Sequence, residues 1–189
     1  TLFNGPHFIS LVVLVGMLYL FFGRYGLVNN IIESVGGERY SFFLESEAFR
    51  PMYILSSNWQ DFGWSSIVYL AALSGVDQSQ HEAATIDGAS RFQRVLHVDF
   101  PAIAPIVSVM LIMSIGGLMG VGYEKVLLMQ TDGNLVTSEI IATYVYKQGI
   151  QNLRQGYATA VGLFNSVINL VLLIIANTVS KRFSENSLF

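Results

Sequence analysis

The densest run of chemically capable side chains is residues 77–101, DQSQHEAATIDGASRFQRVLHVDFP, which holds four acids, two arginines and two histidines. His81-Glu82 opens like the zinc-protease pattern, in which two histidines one helical turn apart hold the metal and the glutamate acts as base. The position four after His81 is Thr85, so that reading fails. A phosphate-binding P-loop ends in Gly-Lys-Ser or Gly-Lys-Thr. The three lysines here are followed by Val126, Gln148 and Arg182, so no nucleotide site of that kind is expected. No Gly-x-Ser-x-Gly elbow is present. With no cysteine, thiol nucleophiles, thiolate metal sites and disulfides are excluded. His7 and His97 are isolated and read as packing or surface residues. The chain is expected to carry no catalytic residue, no metal site and no cofactor of its own.

The same run makes better sense as a mechanical element. Ser79 followed by Glu82 is a capping-box spacing, which predicts a helix starting near Gln80. Gly88 suits the left-handed position that ends such a helix. Ser90 can cap a second helix, RFQRVLHV, with Phe92, Val95 and Leu96 on one face. Pro101 is expected to stop that helix and open the next apolar run, where proline is tolerated in the first turn. The product is two short helices bent at a glycine, a stiff protrusion suited to passing force to a partner. Each piece also has a plain reading: Glu82 as a capping acid, Ala83 and Ala84 as ordinary helix formers, Gly88 as a helix stop.

The elements around this run are apolar. Of 189 residues, 52% are hydrophobic and 12% charged, against about 25% charged in a typical soluble domain. Mean hydropathy is +0.52. A net charge of −3 leaves no basic footprint for nucleic acid. Spanning helices need about 20 mostly apolar residues, and four segments are expected to span: residues 2–23, 51–76, 102–123 and 157–180. The second is the most polar, through SSNWQDFGW, and must face protein or water. Interfacial helices are expected in residues 24–50. The first residue is Thr1, and no basic leader or small-residue cleavage site marks a signal peptide. The expectation is a chain whose natural N-terminus lies upstream.

Orientation does not follow from charge. Residues 77–101 and the tail carry Arg91, Arg94, Lys181 and Arg182, while the other loops carry Arg24, Arg39, Arg50, Lys125, Lys147 and Arg154. These densities are nearly equal, so the positive-inside rule leaves both orientations open.

Glu82-Ala83-Ala84, then Gly88, then Val98, Phe100 and Pro101 resemble the EAA signature of the permease subunits of binding-protein-dependent, ATP-driven (ABC) importers. The spacing matches without gaps, and Phe100 stands where leucine is usual. The flanking residues 69–105 and YATAVGLFNSVINLVLLIIAN look like the carbohydrate branch, the LplB-like sugar permeases, and the resemblance covers essentially the whole chain. It implies an all-α membrane protein: a polytopic helical bundle of the type I ABC importer permease kind, four spans in this chain, as one transmembrane domain over residues 1–189. Relatives of that kind have six spans, so two N-terminal spans are expected to be missing. The resemblance also implies a bacterial cytoplasmic membrane location with residues 77–101 on the cytoplasmic side. The implied ATPase contacts are Glu82, Ala83, Ala84, Asp87, Gly88 and Arg91, with Pro101 closing the motif. The implied partners are ABC ATPase subunits that bind the ATP, a second permease, an extracytoplasmic solute-binding protein and the lipid bilayer.

If the cargo is a sugar, aromatic faces and polar groups should line its path. The candidates are Trp59, Asp61, Trp64, Tyr123, Glu124 and Asn165, with Asn169 one helical turn further on. Each has a plain alternative: Trp59 and Trp64 as interface anchors, Asp61 as a residue near the outer interface, Asn165 and Asn169 as helix-helix hydrogen bonders, and Gly116 with Gly120 as a packing pair. An amino-acid or ion importer stays open as an alternative cargo class, and a membrane assembly protein without transport as an alternative function. An intramembrane enzyme would need a catalytic pair at depth, and Asp61 is the only acid placed there.

Overall fold

The computed structural model describes residues 2–183, and every regular element among them is helical. Lipid demands this, because helices satisfy their backbone N–H and C=O groups internally. A 3-10 turn, Leu2–Phe8, precedes Ser10, whose hydroxyl accepts the Val13 N–H at 3.4 Å and caps α1, Leu11–Phe22. There follow α2 (Leu27–Ser34), α3 (Ser46–Ser74), α4 (Gln78–Ile86), α5 (Arg91–Arg94) and α6 (Phe100–Gly116). The rest is α7 (Tyr123–Met129), α8 (Leu135–Ser138), α9 (Ile141–Tyr146) and α10 (Gln155–Phe183).

Three stretches are long and apolar enough to cross a membrane: Leu11–Ser34, Arg91–Gly116 and Gln155–Ser180. Helix α3 is not among them, because Ser56, Ser57, Asn58, Gln60 and Asp61 lower its hydropathy. It is nonetheless one unbroken helix of 29 residues, about 43 Å long at 1.5 Å per residue. The apolar run at 102–123 is helical only to Gly116, since Gly117, Gly120 and Gly122 follow in close succession.

The chain divides into two compact units, residues 1–63 with 120–165, and residues 64–119 with the chain from 166 onward. In the first, Val15 and Leu18 of α1, Phe43 from the turn before α3, Phe49 and Met52 of α3, and Val126 and Met129 of α7 form a buried cluster. Polar side chains pin its connections. Asn134 is fully buried; its Nδ2 donates to the carbonyls of Phe43 (2.9 Å) and Met129 (3.0 Å). Its Oδ1 accepts from Thr131 N–H (3.0 Å) and Ser138 Oγ (2.9 Å). Asn29 likewise donates to the carbonyls of Gly23 and Tyr40, both at 2.9 Å, and accepts Tyr40 N–H at 2.8 Å. The turn beside Asn134 needs its glycine, because a Cβ on Gly133 would collide with the Leu44 backbone.

In the second unit Ile112 is the deepest apolar side chain of α6. A Cβ on Gly116 would press within 2.6 Å of Leu173, so this glycine brings α6 close to α10, the packing role expected of it. The Met119 N–H donates to Asn169 Oδ1 at 3.3 Å. Leu111, Met113, Leu170, Val171, Ile174 and Ile175 are exposed, the inverted pattern of helices that meet hydrocarbon rather than water.

Candidate coupling segment and substrate path

The polar hairpin between α3 and α6 lies wholly in the second unit. Its first helix is capped two residues earlier than the Ser79/Glu82 spacing predicts. Asp77 is the cap: its Oδ1 accepts Ser79 N–H at 3.0 Å. That backbone hydrogen bond holds the Asp77 carboxyl below its usual range. The capping-box role is thereby removed from Glu82. Gly88 ends the hairpin's first arm at φ +77°, the left-handed conformation expected of it. Ser90 caps α5 through a complete capping box: Gln93 N–H donates to Ser90 Oγ at 3.4 Å, and Ser90 N–H to Gln93 Oε1 at 2.8 Å.

Pro101 does not stop the second helix. A π turn, Val95–Asp99, joins α5 to α6 with Phe100 N–H donating to the Val95 carbonyl, five residues back. Pro101 has no N–H, and its ring crowds the carbonyl four residues earlier. The widened turn lets the helix pass this point instead of ending.

Two contacts brace the arms. His81 Nε2 lies 3.2 Å from Asp99 Oδ1, and Arg94 Nη1 donates to Thr85 Oγ1 at 3.2 Å. His81 and Thr85 are four residues apart, on one face of α4. Glu82, Ala83 and Ile86 are open to solvent, Glu82 and Ile86 flanking His81, Thr85 and Arg94 along one shallow groove, and Asp87, Gly88 and Arg91 are exposed at the bend. Ala84 is half-buried and Pro101 exposed. Ile86 is 86% exposed and Phe92 75%. Neither stood among the expected contacts, though an isolated apolar residue in so polar a helix was a visible signal for Ile86.

The expected path residues do not form one cluster. Trp59 lines an apolar groove of about 650 Å³ with Leu14, Phe21, Met52 and Leu55. Asp61, two residues on, points to the opposite side of α3, where its Oδ1 lies 3.2 Å from His7 Nδ1. His7 thus has a polar partner rather than the isolated role expected. Trp64 is half exposed. The Tyr123 ring packs at 6.0 Å from Tyr146, and Glu124 is exposed. Asn165 Oδ1 is buried with no hydrogen-bond partner. The residue that sequence reasoning missed is Lys125, buried beside Ser57 of α3, with Nζ donating to Ser57 Oγ at 2.8 Å. A lysine next to a glutamate in a loop gives no sign of burial.

Comparison with known proteins supplies the family. Residues 2–185 match the family described as "Binding-protein-dependent transport system inner membrane component". Protein LplB of Bacillus subtilis (strain 168) is 43% identical over 185 residues, 97% of this chain and 58% of that protein. The polygalacturonan/rhamnogalacturonan transport system permease protein YteP of the same organism is 40% identical over 190 residues, 100% of this chain and 59% of that protein. A chain of a bacterial ABC transporter involved in the import of the acidic polysaccharide alginate superposes with TM-score 0.93 at 38% identity, covering 96% of this chain and 64% of that one. A second structure, the alginate transporter in complex with an alginate pentasaccharide-bound periplasmic protein, gives TM-score 0.94 at 37% identity, with 98% and 65% covered. The chain therefore spans about three fifths of the length of the curated relatives it matches. With this match over nearly its whole length, and with helices long and apolar enough to cross a membrane, the chain belongs to the inner-membrane permease components of binding-protein-dependent transport systems.

Proposed function

We propose that the chain is a permease subunit of an ATP-driven importer for oligosaccharides. It lines part of the translocation path and couples to a separate ATPase through residues 78–99. ATP is bound and hydrolysed on that partner. A second permease completes the pore, and an extracytoplasmic binding protein delivers the cargo. The carrying observation is the geometry of α4 within this family: a capped helix, braced along one side by His81–Asp99 and Thr85–Arg94, leaves Glu82, Ala83 and Ile86 exposed. Small side chains there allow close approach of a partner's backbone, Glu82 supplies a charge for a basic groove, and Ile86 an apolar knob. The oligosaccharide cargo is supported by relatives whose names specify polygalacturonan/rhamnogalacturonan and alginate.

The experiment is co-purification and uptake with the assembled importer. Glu82→Lys reverses the outward charge, and Gly88→Pro forbids φ +77° because proline holds φ near −65°. Both are expected to stay in the membrane, lose the ATPase on purification and abolish oligosaccharide uptake. Wild-type uptake in both variants would overturn the coupling assignment.

A further inference from the structure

We propose that Lys125 is a carboxylate-binding residue of the translocation path, so that the cargo is an acidic, uronate-containing oligosaccharide. This rests on the permease reading above and adds the chemical class of the cargo. Lys125 is 4% exposed. A buried ammonium is costly unless paired with an anion, yet among the described residues no carboxylate forms an ion pair with it. Its Nζ donates to the neutral Ser57 hydroxyl at 2.8 Å and sits 5.1 Å from the centre of the Tyr53 ring. An ammonium has three donors, so the hydroxyl leaves two for an incoming acceptor. The acid whose charge acts on it is one turn beyond Ser57 on α3, and it is bound elsewhere: Asp61 Oδ1 contacts His7 Nδ1 at 3.2 Å.

Tyr53, Ser57 and Asp61 recur every four residues and so form one stripe on α3. Beside the Lys125 ammonium of α7, this stripe sets an aromatic ring, a hydroxyl and, at its far end, a carboxylate whose side chain is 58% exposed. A pyranose uronate fits each: its carboxylate pairs with the ammonium, its ring C–H face meets Tyr53, and its hydroxyls donate to Asp61. The flexible lysine stem lets the ammonium leave Ser57 for the carboxylate when the path opens. Burial lowers the Lys125 pKa to about 8, with the charge of Asp61 opposing the shift, so the group is still cationic at neutral pH. A purely structural lysine would be expected to carry an acid partner, and this one does not.

The test uses the complete importer with its binding protein in proteoliposomes, with tetragalacturonate and the neutral maltotetraose as probes. Variants are Lys125→Met, which keeps length and removes charge, and Lys125→Arg, which keeps charge. Wild type is expected to accumulate tetragalacturonate, Lys125→Met to lose roughly tenfold or more of that uptake, as for the loss of a charge-assisted bond, and Lys125→Arg to retain most of it. Equal tetragalacturonate uptake by Lys125→Met and wild type would overturn the inference. So would wild-type uptake of maltotetraose alone, which leaves the oligosaccharide permease reading standing. Uptake of neither probe by wild type would overturn that reading as well. Loss of both Lys125 variants from the membrane would mark the residue as structural, against the proposal.

Discussion

His81 Nε2 and Asp99 Oδ1 stand 3.2 Å apart, tying the first turn of α4 to the last residue of the π turn that leads into α6. The pair connects the face-presenting arm of the hairpin to a membrane helix. In the proposed coupling, a push on α4 reaches α6 through this side-chain strut as well as through the bend at Gly88. Both side chains keep about a quarter of their surface in water, and a pair that stays in contact with solvent contributes only about 0–1 kcal/mol. Asp99→Asn is thus expected to leave the amount of folded protein unchanged. The effect should appear in coupling, as ATP hydrolysis that no longer rises when loaded binding protein is added. Undiminished stimulation in Asp99→Asn and in His81→Ala would remove the strut from the mechanism.

Gly88 allows a graded test of the bend. At φ +77° a β-carbon costs about 1–2 kcal/mol for most residues, and asparagine less. No heavy atom lies within 4 Å of where a Cβ would sit, so the cost is purely conformational. Uptake is expected to fall in the order Gly88→Asn, Gly88→Ala, Gly88→Val, without loss of membrane protein. A flat series would show that the left-handed bend does not matter to transport.

What could be read in advance divides along the range of the interactions. Gly88 and Ser90 were legible because their roles are local: a left-handed stop and a cap depend on neighbours within three residues. The cap at Asp77 was missed for the same local reason in reverse, since Asp77 and Ser79 are both good caps and only the backbone path selects between them. Pro101 does sit in the first turn of α6, as expected, but it does not end the helix before it, because a π turn immediately upstream accommodates it. The long-range pairings were invisible. His7 and Asp61 are 54 positions apart, and Lys125 and Ser57 are 68 apart. No periodicity links them, so a partner for Asp61 and the burial of Lys125 emerge only once α3 and its neighbours have packed.

Asn134 is a stability prediction independent of transport. All four hydrogen-bonding positions of its side chain are used, by the carbonyls of Phe43 and Met129, the Thr131 N–H and the Ser138 hydroxyl. Asn134→Asp keeps the shape, removes both donors and buries a charge. Each buried polar group left unsatisfied costs about 1–3 kcal/mol; the Met129 carbonyl loses its donor here, while that of Phe43 keeps the Thr131 hydroxyl at 2.6 Å. The variant is expected to unfold at least several degrees below wild type in detergent, and Asn134→Ala likewise. A midpoint within one or two degrees of wild type in Asn134→Asp would mean that water replaces the lost donors.

Lys125 makes opposite predictions for stability and for uptake. Its folded pKa of about 8 lies below the ordinary lysine value near 10.4, with burial as the main cause. Between those values the unfolded chain binds more protons than the folded one, so stability rises with pH across roughly 8 to 10.4. Below pH 8 the buried charge is a standing cost. Lys125→Met removes it, and with it the desolvation penalty of a buried charge that no ion pair offsets. The variant should therefore melt several degrees above wild type at pH 7, an advantage that shrinks towards pH 10. Uptake of tetragalacturonate by wild type should fall as pH rises through about 8, where the ammonium loses its proton. The other titratable groups facing this site are Tyr53 and the Asp61–His7 pair, and any pH effect that persists in Lys125→Met belongs to them. A Lys125→Met protein less stable than wild type at pH 7 would show that the lysine is kept for folding rather than for its cargo.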